Sequence, residues 1–403
     1  MGRAVKSHAE PKMLAWCRNS ARQTVAAAAK KAKVPEATIL AWEDENGSES
    51  PSFTQLKALA SLYKRPTCVF YLTKPPADFT VMKDFRSRRG KPVEFSPELA
   101  LAIRESRERS AWLSGLLRSS DEPRIDFISA SKMSIPAEKL GLRLRGQVLG
   151  MTLEEQFHAS DTGTTFRIWR QKCEEAGVCV FIVRKVEVSE MRGFAVVDEY
   201  APVVGINGKD SASGKTFTLL HEMAHLLLGA DGVSDTAFSS ELHSSNSREI
   251  ETFCNAVAAA ALVPLKALIA IFDKIGGDNH IATVRLAKQF KVSEEVIARR
   301  LLEAGKVESG FYRRIRAICA ARAEEAKIKD AEKPKREVII QRYKLIKHGV
   351  GVRFATAAIG AFHEGEIDGA ELSRLLGMKL DHLRNLELAL QNDRIGNWRM
   401  LTT

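Results

Sequence analysis

Apolar residues recur at helical spacing along most of this chain, and one central region instead alternates short apolar runs with turn residues. A period near 3.6 residues predicts amphipathic helices, whereas short apolar runs bounded by turn residues predict strands. The predicted helices are residues 12–21, 24–32, 35–43, 53–63, 97–118, 136–140, 166–176, 217–229 and 251–264. The predicted strands are residues 178–183, 193–197 and 202–207. The pattern therefore predicts an α+β fold that is mainly helical, with one small antiparallel sheet.

Breaks rich in Pro and Gly, together with shifts in charge, divide the 403 residues into predicted domains. A chain of this length is expected to hold roughly two or three domains that each bury a core. We predict a helix-turn-helix bundle, a helical connector, a central α+β domain with a helical subdomain, a basic linker and a C-terminal helical domain. Their boundaries are residues 1–73, 74–160, 161–305, 306–340 and 341–403, in that order.

The composition is that of an ordinary globular protein, with 45% hydrophobic and 28% charged residues. The N-terminus has no apolar signal region and the chain has no run of about eighteen uncharged apolar residues, so we expect a cytoplasmic protein without a membrane partner. The six cysteines are scattered without C-x-x-C pairs, and we expect them to be reduced and mostly buried. They are Cys17, Cys68, Cys173, Cys179, Cys254 and Cys319.

The net charge of +11 is unevenly distributed, because residues 306–353 contain 14 basic and 6 acidic residues. A basic segment of this kind favours a polyanionic partner such as nucleic acid. The alternative is a solvated helical linker of mixed charge, and residues 320–335 fit that description. Both interpretations stay open, with the solvated linker favoured.

The motif His221-Glu222-Met223-Ala224-His225 lies within the predicted helix 217–229. Residues four apart share one face of a helix, so both imidazoles can reach a single metal ion. Glu222 points to the side, where it can accept a proton from a water molecule. Two His ligands, a general-base Glu and one open coordination position are typical of a zinc-dependent peptidase.

Glu251 is the natural third protein ligand, since it opens the predicted helix 251–264. The intervening residues 231–247 are polar and Ser-rich, which suits a loop that reverses the chain and packs the second helix on the first. Cys254 follows Glu251 by three residues and is close enough in sequence to approach the metal. Packing is the favoured interpretation for its thiol.

The two motifs H-E-M-A-H-L-L-L-G and E-T-F-C-N-A-V-A-A-A-A-L-V-P resemble those of the ImmA/IrrE family of bacterial zinc metallopeptidases. The resemblance spans roughly residues 164–304 and implies a zincin-like metallopeptidase domain at residues 161–305. It also implies that His221, His225 and Glu251 hold Zn²⁺ and that Glu222 is the base. Such a His₂Glu site also accepts manganese.

Related family members cleave a repressor protein in mobile elements or stress responses. The resemblance therefore implies an endopeptidase whose protein substrate is a helix-turn-helix transcriptional repressor. His243, in the loop before Glu251, is a candidate for stabilising the tetrahedral intermediate. The edge of the small sheet could bind an extended substrate by strand addition.

The segments A-A-A-A-K-K-A-K-V-P-E-A-T-I-L-A-W-E and F-T-Q-L-K-A-L-A-S-L-Y-K-R-P resemble the lambda-repressor-like (XRE) helix-turn-helix family. Candidate DNA contacts are Lys30, Lys31 and Lys33 to the phosphate backbone and Glu36, Ala37 and Thr38 to base edges. The predicted recognition helix contains no Lys or Arg. Protein docking or dimerisation is therefore the alternative role for this domain.

Three functional hypotheses follow from these patterns. The leading one is a zinc endopeptidase fused to a helix-turn-helix module. The second is a DNA-binding regulator or antitoxin-like protein whose metal site is structural or vestigial. The third is self-processing, in which the enzyme cuts its own linker near residues 306–336.

Overall fold

A computed structural model of the protein describes residues 5–76, 96–229, 245–332 and 341–391. The chain forms two compact units, and the division falls between Glu105 and Ser106. The described residues are mainly helical with one three-stranded sheet. This architecture confirms the predicted α+β, mainly helical class.

The N-terminal unit is a bundle of short helices. Its helices are α1 (Pro11–Ser20), α2 (Val25–Ala32), α3 (Glu36–Glu43), α4 (Phe53–Tyr63) and the beginning of α5 (Pro97–Ser119), with a 3₁₀ turn at Thr67–Tyr71. Thr24 caps α2 by accepting a hydrogen bond of 3.1 Å from the Ala27 amide. The core of this unit includes fully buried Met13, Leu56 and Phe70.

The second unit contains the sheet and the remaining helices. Its elements after α5 are α6 (Ala137–Arg143), α7 (Leu153–His158), α8 (Thr162–Glu175), β1 (Cys179–Val183), β2 (Gly193–Val196), β3 (Val203–Asn207), α9 (Ala212–Leu228), α10 (Ser245–Leu262), α11 (Leu265–Ile275), α12 (Asn279–Phe290), α13 (Glu294–Glu303), α14 (Ser309–Glu332), α15 (Arg342–His363), α16 (Gly369–Leu376) and α17 (Leu383–Gln391). Among the described helices none is by itself long and apolar enough to cross a membrane. One bent pair, Glu249–Leu262 with Leu265–Ile275, meets that test jointly by length and composition alone.

The sheet is mixed, so the prediction of an antiparallel sheet is wrong. Its strand order is β1-β3-β2, with β1 parallel to β3 and β2 antiparallel to β3. Every residue of β1 and β3 is buried. Parallel strands covered on both faces appear in sequence as continuous apolar runs, which is what residues 178–183 show.

The two faces of the sheet belong to two different hydrophobic clusters. Val180 and Ile182 of β1 pack in one cluster with residues of α9 and α10. Cys179 and Phe181 pack in the other with residues of α15, where the rings of Phe181 and Phe354 meet edge to face at 5.6 Å. The sheet is therefore a central layer between α9 on one side and α15 on the other.

Helices α8, α9 and α10 each begin at least four residues earlier in the chain than predicted, α8 at Thr162. α9 begins at Ala212, because the Ser211 side chain caps it by accepting a 3.0 Å hydrogen bond from the Gly214 amide. α10 begins at Ser245, which places Glu251 in its second turn. Polar residues in a first helical turn resemble a loop in sequence, since they lack the apolar spacing that marks the rest of the helix.

Helix α6 passes through Gly141, so the prediction that the helix stops there is wrong. It continues to Arg143 and then into a π-helical turn, Leu144–Val148. A Cβ on Gly141 would lie 2.6 Å from the Ala260 Cβ and 2.7 Å from the Val257 carbonyl oxygen. Gly141 is thus a close-approach position that lets α6 pack on α10.

We expect Gly141→Ala to lower the free energy of unfolding by about 1–3 kcal/mol or more, because the new methyl group overlaps the backbone of α10. Gly146→Ala is the matched control, since a Cβ there would meet nothing within 4 Å. It should change the free energy of unfolding by no more than about 0.5 kcal/mol. Urea denaturation measures both, and equal midpoints would rule out the close approach.

Helix α15 is broken at Gly351, whose φ of 77° and ψ of 169° lie outside the helical region. The Glu174 carboxylate of α8 accepts a 2.9 Å hydrogen bond from the amide of Val352, the first residue after the break. Arg170 donates to the His348 carbonyl of the first half at 2.9 Å and to Glu174 at 3.0 Å. A buried ion pair on α8 therefore satisfies backbone groups on both sides of the break.

Candidate metal centre

Helix α9, which carries the H-E-x-x-H motif, is held at both ends. At its C-terminus Gly229 adopts a left-handed conformation and its amide bonds to the His225 and Leu226 carbonyls. The loop after α5 supplies further donors, since the Ser129 and Ser131 amides bond to the Leu226 and Leu227 carbonyls at 3.0 Å. The end of the helix nearest the motif is thereby fixed.

Helix α10 packs on α9 and, through Ala260, on α6. Ala258 and Ala261 are buried in the hydrophobic cluster that contains α9, and small residues of this kind allow helices to approach closely. This packing places Glu251 opposite the two His residues of α9.

The structure brings His221, His225 and Glu251 together. The Nε2 atoms of the two imidazoles are 3.1 Å apart. The Glu251 carboxylate spans both, with Oε2 at 3.3 Å from His221 Nε2 and Oε1 at 3.3 Å from His225 Nε2. Both His side chains are 8% exposed, and Glu251 is 25% exposed. Two imidazoles and one carboxylate thus lie close enough together to share one ion.

These spacings fit a tetrahedral ion. Zinc bonds of 2.0–2.1 Å at tetrahedral angles place neighbouring ligand atoms about 3.3 Å apart. The two imidazole nitrogens are 3.1 Å apart and each lies 3.3 Å from one oxygen of the Glu251 carboxylate, which is close to this spacing. The donor set of two imidazoles and one carboxylate is also one that zinc accepts. The residues present therefore fit the metal that the motif implies.

Electrostatics in the cluster couple the carboxylate to the imidazoles. Burial raises the pKa of Glu251, but hydrogen bonds from His221 and His225 outweigh burial and hold this pKa below its usual range. Burial lowers the pKa of His225, yet hydrogen bonds with Cys254 and Glu251 raise it well above its usual value. Glu251 therefore supplies a negative charge directly beside both nitrogen atoms.

Cys254 is fully buried, as the packing interpretation requires. Its thiol lies beside the His225 side chain and outside the group of residues that could share an ion. Cys254 is in contact with a predicted ligand, a relation that its spacing from Glu251 alone did not indicate.

Glu222 is 5% exposed and lies outside the three-residue group. Its carboxylate faces the beginning of β2, beside Gly193. Its role as a base stays a prediction, with which a buried carboxylate beside β2 is consistent. His243, the candidate for stabilising the tetrahedral intermediate, lies outside the described residues.

The predicted DNA contacts fall on the surface of the N-terminal unit. Lys30, Lys31 and Lys33 are exposed around the end of α2, and Glu36 and Ala37 are exposed on α3, with Thr38 partly so. Lys33 makes the tight turn in a left-handed conformation. The two helices and their turn are thus present, and DNA contact by these residues stays a prediction.

Acidic residues on and after α3 are engaged within the unit. Glu43 forms a bidentate pair with Arg18, at 2.7 and 2.8 Å, and Glu45 pairs with Lys12 at 2.8 Å. The exposed positions of α3 are Glu36, Ala37 and Leu40. A helix that exposes one acid and two apolar residues has no cation for phosphate contacts.

Comparison with known proteins supports the central domain. No curated protein matches the chain. The family-model match begins in α8 and ends in α13, so it includes α9, α10 and the sheet and leaves out the N-terminal unit. It supports a metallopeptidase function for this part of the chain: residues 173–302 match the model of the IrrE N-terminal-like domain of peptidase family M78.

Proposed function

We propose that this protein is a zinc-dependent endopeptidase in which His221, His225 and Glu251 hold the metal and Glu222 is the general base. The observation that carries the proposal is the pair of imidazole nitrogens 3.1 Å apart, each of which has one oxygen of the Glu251 carboxylate at 3.3 Å. When bound, zinc would polarise the scissile carbonyl and make water more acidic. The matched IrrE N-terminal-like domain is consistent with this chemistry.

In this proposal Glu222 transfers protons during hydrolysis, and the other three residues hold the metal. Glu222 accepts the proton from the attacking water and passes it to the leaving amine, which is general acid–base catalysis by one carboxylate. Its burial beside β2 shields this carboxylate from bulk water and strengthens its interactions with charge. His221 and His225 are fixed by the turn geometry of α9, and Glu251 by the packing of α10 on α9.

We further propose that the substrate is a helix-turn-helix transcriptional repressor. The chain has its own pair of helices joined by a tight turn, α2 and α3, in the N-terminal unit. The exposed face of α3 is acidic and apolar, a character that fits a protein partner better than DNA. Recognition of the repressor by a similar domain is consistent with that surface.

The decisive experiment is a metal count on the purified protein beside Glu251→Ala. We expect about one zinc ion per chain in the wild type. The variant should bind zinc more weakly by over about 100-fold, because it loses a ligand and not merely an outer-shell partner. Element analysis after dialysis, followed by titration with a competing zinc chelator, measures both quantities.

Glu249→Ala is the matched control for this count, since Glu249 is exposed and lies on the same helix two residues away. It should retain zinc like the wild type. A wild type without zinc, or an equal loss in both variants, would contradict the assigned site. With the site established, cleavage of purified helix-turn-helix repressors, with and without chelator, tests the activity.

A further inference from the structure

Gly193 opens strand β2 on the side of the sheet that faces α9. It lies opposite Ile206 of β3, and Ala195, two residues on and therefore on the same side, packs in the cluster that contains α9. Its φ is not in the left-handed region, unlike that of nine other glycines. The backbone at this position would accept any residue, so what glycine contributes here is the missing side chain.

The space beside Gly193 is taken by two side chains of α9. A Cβ on Gly193 would lie 3.0 Å from Glu222 Oε1 and 3.1 Å from Glu222 Cγ. It would also lie 2.4 Å from Thr218 Cγ2. Thr218 precedes Glu222 by four residues, so the two side chains stand next to each other on one face of the helix. The Glu222 carboxylate thus occupies room that any other residue at 193 would take.

We propose that Gly193 is a positioning residue, whose missing side chain sets where the Glu222 carboxylate sits beside the metal ligands. The inference rests on the proposed function of Glu222 and deepens it. A methyl group at 193 pushes the carboxylate towards a different rotamer while leaving His221, His225 and Glu251 in place. A substitution at position 193 therefore impairs proton transfer by Glu222 and leaves metal binding unchanged.

A purely structural role is the competing explanation, in which glycine only lets β2 pack closely on α9. The distances from a Cβ at position 193 to Thr218 and to Glu222 show how the two explanations can be distinguished. The closest clash of Gly193→Ala is with the γ-methyl group of Thr218, and Thr218→Ser removes that group. The double variant Gly193→Ala/Thr218→Ser therefore relieves the packing clash and keeps the new methyl group against Glu222.

The test compares these variants by zinc content, thermal unfolding midpoint and kcat for a cleaved repressor. Gly193→Ala should keep about one zinc per chain and lose about 10²-fold in kcat, the typical effect of a misplaced catalytic group. The double variant should match Thr218→Ser in unfolding midpoint and remain about 10²-fold below it in kcat. The proposal would be overturned if the double variant had both the kcat and the unfolding midpoint of Thr218→Ser. It would also be overturned if the double variant lost its zinc.

A second readout needs no substrate and so stands apart from the proposed peptidase activity. Crystal structures of Thr218→Ser and of Gly193→Ala/Thr218→Ser give the position of the Glu222 carboxylate directly. In the double variant this carboxylate should adopt a different rotamer, because a Cβ at position 193 lies 3.0 Å from Glu222 Oε1 and 3.1 Å from Glu222 Cγ. A Glu222 side chain in the same position in both variants would overturn the role of Gly193. Absence of repressor cleavage by the wild type would instead refute the peptidase function.

Discussion

Glu222→Gln is expected to keep its zinc and to lose peptidase activity by at least about 100-fold. The amide has nearly the shape of the carboxylate, so it fits the same space beside Gly193 and Thr218. It cannot accept a proton from water, and general acid–base catalysis contributes about 10²–10⁴-fold to such reactions. Zinc should stay because Glu222 is not one of the three residues around the ion site.

Rates of repressor cleavage and zinc content, measured on one preparation, check this expectation. Glu187→Gln is a suitable control, since Glu187 is exposed, pairs with Lys209 and precedes β2 in the same segment of chain. Its activity should equal that of the wild type. A fully active Glu222→Gln variant would eliminate Glu222 as the base, whereas a zinc-free one would give Glu222 a part in metal binding.

The largest stability effect is expected at Glu174, the buried carboxylate at the break in α15. Glu174→Ala leaves the buried Arg170 guanidinium without its counter-charge and removes the acceptor for the Val352 amide. Breaking a buried ion pair by removing one partner typically costs about 3–5 kcal/mol. We expect a loss of that size in the free energy of unfolding, measured by urea denaturation.

Two further variants sharpen this prediction. Burial raises the pKa of Glu174, against the opposing effect of Arg170, so the ionised form carries a desolvation cost that a neutral isostere avoids. Glu174→Gln should therefore lose less stability than Glu174→Ala. Glu175→Ala, at an exposed neighbouring position, should lie within about 0.5 kcal/mol of the wild type. Equal stability of Glu174→Ala and Glu175→Ala would contradict the role of the ion pair.

Sequence patterns anticipated those parts of the structure that depend on local geometry. The four-residue spacing of His221 and His225 places both imidazoles together in any helix, and the three predicted strands lie within two residues of the observed ones. The approach of Glu251 depends on the packing of α10 on α9, the helix that comes before it in the chain. Such features need no knowledge of distant contacts.

The parts that sequence patterns missed depend on partners far away in the chain. The position of β3 between β1 and β2 depends on the helices that cover the two faces of the sheet. One of these helices, α15, begins at Arg342, which is 159 residues after β1 ends at Val183. The passage of α6 through Gly141 is decided by α10. The break in α15 at Gly351 is explained by its contact with Glu174, and the need for glycine at position 193 is explained by its contact with Glu222.

The position of α15 over the sheet has a consequence for synthesis on the ribosome. Strand β1 leaves the exit tunnel long before α15, and until then α5 is the only described helix of the cluster around Cys179 and Phe181 that has been made. The nascent domain therefore leaves much of one apolar face of its sheet exposed while α9 and α10 can already pack on the other. Exposed apolar strands of this kind attract chaperones and neighbouring nascent chains. We therefore expect peptidase activity to appear only after residues 342–363 have emerged.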